Sequence, residues 1–189
     1  MRIFTTGTYR LIAGILVTWM LLILAASATP QNQENPEVTR LLADAREKAA
    51  VLSRDADEME SLTRSEASWE SHAAMLETMK EDVNDLAKTT EKLNAMRGSA
   101  SPWQQQAIDR MMPLLRELAS NTTAAINHLK EQKERPTSPS YAEYLRQNSE
   151  TARELSDMVA SFVRYGETRA ELEKLEQKLE IGSGKRASR

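Results

Sequence analysis

Hydrophobic residues recur at helical spacing along nearly the whole chain after residue 35. In four successive stretches an apolar side chain returns every three or four positions, which is the pattern of a helix with one buried face. Ala, Leu, Glu, Lys, Arg and Met are abundant, whereas the strand-forming Val and Ile are scarce. The pattern predicts an all-α protein with helices at about 36–64, 68–97, 102–132 and 140–181.

Capping signals mark where these helices begin and end. A glycine at residue 98 is expected to end the second helix, because glycine adopts the left-handed backbone conformation that often follows a helix. Three helix starts have a Ser or Asn cap. Each cap is followed by a proline at the first helical position, by Glu or Gln three residues later, or by both. They are Asn35-Pro36, Ser101-Pro102-Trp103-Gln104 and Ser140 with Glu143.

The boundary between the first two helices has two interpretations. Residues 64–68 interrupt the apolar stripe, and a new heptad frame begins at Trp69 with a shifted phase. If the chain turns there, four amphipathic helices with short connections give an antiparallel up-down four-helix bundle. If it only bends, helices 1 and 2 form one rod in a long, coiled-coil-like hairpin with helices 3 and 4. The turn is the favoured interpretation, since Ser65 and Ser68 can both act as caps.

The N-terminal segment has the organisation of a secretory signal peptide. A short basic stretch is followed by an unbroken apolar run at 11–24 and then by Ala26-Ser27-Ala28, the small-x-small pattern that signal peptidase recognises. We expect residues 1–28 to be the signal peptide, with Ala26 and Ala28 as the cleavage determinants. The protein is then exported, to the periplasm or to the outside of the cell.

The alternative is an uncleaved membrane anchor. Residues 11–28 are uncharged and long enough to cross a bilayer, since a spanning helix needs roughly 17–25 residues. On this interpretation the protein contacts a membrane only through that segment and stays on the inner membrane. A polar linker at 29–35 then joins it to a domain at 36–181, and a short basic tail at 182–189 is expected to be disordered.

Charge and cysteine content exclude several classes of protein. Without Arg2 and Arg10 the chain has 23 basic and 28 acidic residues, a net charge of −5, which argues against nucleic-acid binding. There is no cysteine, so no disulfide framework supports the fold. No glycine-rich phosphate loop, haem-attachment motif or Glu-x-x-His metal motif is present. The sequence therefore predicts a non-enzymatic protein without a cofactor.

The two histidines are the one candidate for site chemistry. Helices 2 and 3 meet in a hairpin centred near residues 99–101, so facing residue numbers add to about 200, as do those of His72 and His128. Tyr144 of helix 4 is expected beside His128. The functional interpretation is a metal site or a pH-sensitive latch, and the structural one is a pair of histidines at the edge of the core. Zinc needs three or four ligands, which favours the structural interpretation.

The end of helix 4 is a candidate contact surface. Leu172, Leu175 and Leu179 form a thin apolar stripe on an otherwise charged segment. Such a stripe can pair with the same segment of a second chain, or it can be an ordinary solvated helix end. The sequence thus predicts a protein partner or a homo-oligomer.

Three stretches resemble a family of uncharacterised exported helical-bundle proteins of bacteria. They are Ser68-Trp69-Glu70-Ser71-His72, residues 101–110 and Tyr141-x-x-Tyr144. The resemblance implies export and a helical fold, and it transfers no catalytic residue because that family has no assigned activity. Residues 62–66 also differ by one residue from the Leu-Thr-x-x-Gln motif of envelope stress chaperones. We therefore expect a structural or adaptor module of the cell envelope, or alternatively a small periplasmic chaperone or a metal- or pH-responsive binding protein.

Overall fold

The described residues of this protein form helices and no strands. A computed structural model describes residues 34–65, 67–132 and 138–179, and a short 3₁₀ turn at Arg97–Ser99 follows the second helix. The predicted all-α class is confirmed. The predicted signal peptide, most of the linker and the basic tail lie outside the described residues. The helices are α1 Pro36–Leu62, α2 Trp69–Ala95, α3 Pro102–Glu131 and α4 Pro139–Leu179.

The chain turns between α1 and α2 instead of continuing as one bent helix. The backbone amide of Thr63 donates to Glu60 O at the end of α1. Before the first residue of α2, the cap Ser68 accepts a hydrogen bond from Ser71 N at 3.3 Å through its hydroxyl. This Ser68 cap satisfies an amide that the first turn of a helix would otherwise leave unpaired.

None of the helices in the described part of the chain is both long and apolar enough to cross a membrane.

The four helices pack as a bundle in which each contacts two neighbours. The first helix packs on α2 and α4, and α3 packs on the same two. The apolar stripes meet in one core, and the largest fully buried side chains come from all four helices. Trp69, where the second stripe begins, is instead 37% exposed. The largest buried apolar side chains are Leu42, Leu52, Met59, Leu76, Met79, Leu86, Leu93, Ile108, Met111, Leu118, Tyr141 and Leu145.

A fully buried glutamine joins the start of α3 to the start of α1. Gln104 Oε1 accepts hydrogen bonds from Ser101 N at 2.9 Å and from Asn35 N at 3.1 Å. Its amide nitrogen donates to Asn35 O and to Thr39 Oγ1, both at 2.9 Å. The predicted capping partner of Ser101 is therefore also a link across the bundle. All four hydrogen bonds of the buried amide are made, as burial of such a group requires.

The indole of Trp103 connects three chain segments beside this glutamine. It lies against Gly166 of α4, so closely that a Cβ atom at residue 166 would be 2.7 Å from the ring. Its Nε1 donates a hydrogen bond to Glu34 Oε1 at 2.9 Å. Glu34 and Asn35, assigned from sequence to the polar linker, thus contact the bundle.

Two predicted helix boundaries are wrong in detail. Gly98 lies inside the 3₁₀ turn without a left-handed backbone, because α2 already ends at Ala95. Helix α4 begins one residue earlier than expected, and its cap is Ser138, whose hydroxyl accepts from Tyr141 N at 3.4 Å. The expected partner of Ser140, Glu143, instead forms an ion pair with Arg146 at 2.6 Å.

A pair of carboxyl groups faces across the interface of α1 and α2. The pKa of Asp82 is raised to about 6, first because burial disfavours its charged form and then because the neighbouring carboxyl of Asp55 favours its protonated form. Asp85 and Glu81 on the same helix add to the repulsion. At neutral pH this pair opposes folding.

We predict that Gly166→Ala destabilises the protein by roughly 1–2 kcal/mol. The added methyl must displace the ring of Trp103, and this loss exceeds the helix propensity that alanine supplies. Urea unfolding followed by circular dichroism measures the change. Gly98→Ala is the matched control, since no atom lies within 4 Å of a Cβ there, and it should change the unfolding free energy by less than about 0.5 kcal/mol. Equal effects of the two variants would contradict the contact.

We predict that Asp82→Asn stabilises the protein at pH 7 and not at about pH 4. A raised folded-state pKa means that Asp82 supports the fold below its ordinary value of 3.8 and that this support is lost as the pH rises through about 6. The amide mimics the protonated form, so the gain at pH 7 should be roughly 1 kcal/mol after allowance for solvent screening. Unfolding free energies at the two pH values measure it. Glu77→Gln, which removes a carboxylate of the same helix that is paired with Lys80, should give no such gain.

Candidate functional site

The two histidines lie in one polar, aromatic layer with Tyr141 between them. His72 is fully buried, and its Nδ1 is 3.2 Å from the hydroxyl of Tyr141. The ring of His128 stacks on the other side of Tyr141, with the ring centres 5.8 Å apart. Tyr144 meets His128 edge to face at 6.3 Å, the neighbour expected from the sequence. The imidazoles therefore contact a shared phenol, where the sequence analysis expected them to face each other.

His128 also contacts a serine that the sequence analysis did not connect with it. Its Nε2 is 2.7 Å from Ser138 Oγ. A serine beside a histidine is the start of a nucleophile–base pair. In this protein the same hydroxyl caps α4, and among the described residues no carboxylate orients His128. The contact therefore holds the start of α4 against His128 of α3.

Burial affects the ionisation of two groups in this layer, His72 and Tyr141. Burial lowers the pKa of His72 and raises that of Tyr141, so the uncharged forms of both are favoured. His72 Nε2 is buried and makes no hydrogen bond within the described residues. Over those same residues, no group of three or more His, Cys, Asp or Glu side chains is placed to hold a metal ion.

A groove of about 690 Å³ opens on the surface between α3 and α4. Its wall includes Trp103 and Tyr165, which meet edge to face with ring centres 5.8 Å apart. Arg110 lies over the ring of Phe162 at 5.8 Å. Carboxylates of Glu154 and Asp157 complete the opposite rim, so the groove combines aromatic surface with charges of both signs.

The last part of α4, residues 167–179, is the α4 extension. Every residue from 170 to 179 is exposed. Leu172 and Leu175 are each 55% exposed and Leu179 is 60% exposed, the largest values among the exposed large apolar side chains described. Tyr165, just before the extension, is 50% exposed. The stripe predicted from the sequence is thus a solvent-facing apolar surface.

The groove has no clear signal in the sequence, whereas the leucines of the extension do. Phe162 and Tyr165 have the spacing of the apolar residues of α4, and this spacing alone predicts core positions for both. The available signal was Gly166, which interrupts that stripe and marks the position where a large ring can approach the helix backbone.

We predict that replacing His72 removes part of the acid sensitivity of the fold. A lowered folded-state pKa means that the unfolded chain takes up the proton first, so stability is lost as the pH falls below the ordinary value of 6.5. Because Asp82 changes stability in the opposite sense over this range, the expected result is relative: between pH 7 and 5.5, His72→Leu should gain stability against the original protein, by at most about 1 kcal/mol. The comparison uses urea unfolding at both pH values. Leu76→Ala, one turn away, should lower stability equally at both. If the unfolding free energies of His72→Leu and the original protein change equally with pH, His72 does not contribute to the acid sensitivity.

Comparison with known proteins returns no match. No protein-family model, no curated protein and no solved structure is similar to this chain at a significant level. Its function has to be inferred from the surface that its own side chains form.

Proposed function

We propose that this protein is an exported, non-enzymatic helical bundle that acts through protein contacts in the cell envelope, as a structural or adaptor module. The exposed leucines of the α4 extension carry the proposal. Soluble proteins rarely keep a row of large apolar side chains in water without a binding role. The charged residues between the leucines keep such a surface soluble until a partner covers it.

Export is part of the proposal and depends on residues 1–28. An apolar run followed by Ala26-Ser27-Ala28 is the support for it. Cleavage after Ala28 gives a diffusing protein, and retention of the run gives one tethered to the inner membrane. Both products display the same α4 extension.

The proposed arrangement of the bundle is antiparallel, up and down. Three contacts between α1 and α4 support it, because the residue number falls along α4 as it rises along α1. The carboxylate of Glu34 lies 3.6 Å from Arg169 Nε, Arg46 bonds to Glu167 at 3.1 Å, and Asp57 bonds to Arg153 at 2.9 Å. With this topology the extension projects from the end at which α1 begins.

A small envelope chaperone is the second candidate. The groove between α3 and α4 favours it, because aromatic rings beside charged rims suit apolar segments of varied sequence. A metal- or pH-responsive protein is less well supported. Its layer of His72, Tyr141 and His128 offers two imidazoles where zinc needs three or four ligands.

Site-specific photo-crosslinking in the producing cells tests the function. We expect a crosslinker at Leu175 to give discrete adducts with one protein or a few proteins, identified by mass spectrometry, because this side chain is the middle of the exposed stripe. Val51, an exposed apolar residue of α1, is the control position and should give none. A crosslinker at Gln106 in the groove reports the chaperone alternative by capturing many unrelated chains.

Two outcomes would contradict the proposal. Equal and diffuse adducts at Leu175 and Val51 would remove the contact function. A protein that begins at Met1 and is recovered from the cytoplasm would remove export. The same mass spectra show whether the purified protein begins at Thr29.

A further inference from the structure

The apolar stripe of the α4 extension continues a heptad that begins at Tyr165. Residues spaced alternately by three and four, which occupy the a and d positions of a coiled coil, form one seam. At 100° per residue, Leu172 and Leu175 point opposite to Val163 and Gly166, the last residues of α4 buried in the bundle. The leucines of the seam therefore face away from the bundle, where a second helix can reach them, while Tyr165 at its start also contacts Trp103 of α3. Its members are Tyr165, Thr168, Leu172, Leu175 and Leu179.

Charges beside the seam discriminate between the two orientations of a second identical helix. Arg169 and Glu176 occupy the e positions, and Glu171 and Lys178 occupy the g positions. In a parallel pair a g residue faces the e residue five positions further along the partner. Glu171 would then face Glu176 of the partner subunit twice, once on each side, which is repulsive.

In an antiparallel pair every one of these contacts becomes attractive. With Leu172 packed on Leu175 of the partner subunit, e residues face e residues and g residues face g residues. Arg169 then faces Glu176 of the partner subunit, and Glu171 faces Lys178 of the partner subunit. Symmetry repeats both pairs. Of the two orientations, only the antiparallel one places opposite charges next to each other.

We propose that the α4 extension is a self-association site that pairs antiparallel with the α4 extension of a second copy of this chain. The inference rests on the proposed function, since it names the partner for the surface described there. An antiparallel pair of identical helices has a two-fold axis, so the contact is closed and produces a dimer instead of a filament. The two bundles lie at opposite ends of the paired segment, because the two extensions run in opposite directions.

The contacts already made by the extension are compatible with this pairing. Arg169 is within 3.6 Å of Glu34 and 3.9 Å of Glu173, and its side chain is 35% exposed. The guanidinium has five N–H donors, so it can keep its contact with Glu34 and also donate to Glu176 of the partner subunit. Within the described residues, no ion pair engages Glu171, Glu176 or Lys178 in the protomer.

Sedimentation equilibrium of the purified full-length protein tests self-association. We expect the mass to rise towards that of a dimer between about 1 and 500 µM, as suits a short seam. Leu175→Ala should weaken the dimer roughly tenfold or more, because the two-fold axis removes two leucines from the interface. Val51→Ala, another exposed apolar residue, should leave association unchanged. Circular dichroism confirms that the variants stay folded.

A charge exchange tests the orientation. Glu171→Lys places a lysine opposite Lys178 of the partner subunit in the antiparallel pair and should weaken the dimer, whereas in a parallel pair it would face Glu176 and strengthen it. Lys178→Glu alone should also weaken the dimer. The double variant Glu171→Lys with Lys178→Glu should restore association to within about threefold of the original.

The outcomes separate this inference from the function on which it rests. A protein that stays monomeric up to the highest concentration, but whose Leu175 crosslinks to a different protein in cells, overturns self-association and leaves the contact function standing. A dimer strengthened by Glu171→Lys overturns the antiparallel orientation. A monomer without any specific adduct at Leu175 removes both.

Discussion

The buried amide of Gln104 is the interaction on which the arrangement of one whole end of the bundle depends. A buried amide has to satisfy both donors and its acceptor, and here the backbone of Asn35, the hydroxyl of Thr39 and the amide of Ser101 do so. Only one placement of the first turn of α1 against the first turn of α3 provides all of these partners. That placement brings Glu34 to the indole N–H of Trp103, which donates to it, and holds the indole against Gly166. The position at which α4 leaves the bundle is therefore set by a side chain on another helix.

Local signals predicted most of the fold, because helix periodicity and capping act over one or two turns. The cap at Asn35, the cap at Ser68 and the proline at the start of α3 needed no knowledge of the rest of the chain. Where two residues could each cap the same helix, the sequence alone does not decide between them. Ser138 and Ser140 can both cap a helix, and the contact of Ser138 with His128 selects the first. Gln104 matched its local role in the capping box, while its bonds to residues 69 positions away belong to the tertiary structure.

How far each candidate surface could be predicted also depends on whether its signal is local in the sequence. The closeness of His72 and His128 follows from their equal distance to the hairpin, but the insertion of Tyr141 depends on where the fourth helix begins. The leucines of the α4 extension stand out because their neighbours are charged, so composition alone reveals them. The groove was hidden, since Phe162 and Tyr165 have the spacing of core residues. The packing of Trp103 on Gly166 leaves Tyr165 half exposed at the groove, while Phe162 stays partly packed against the core.

The attachment of Glu34 and Asn35 also decides how the protein bears mechanical load. Any pull on the chain ahead of these residues arrives first at the bond from Trp103 to Glu34 and at the three bonds between Asn35 and Gln104 or Ser99. These bonds share the force, and they must break before the first turn of α1 can unwind. If the bundle is held by the chain before Glu34, the contacts of Glu34 and Asn35 resist the pull. The hydrophobic core bears the force only after these contacts have broken.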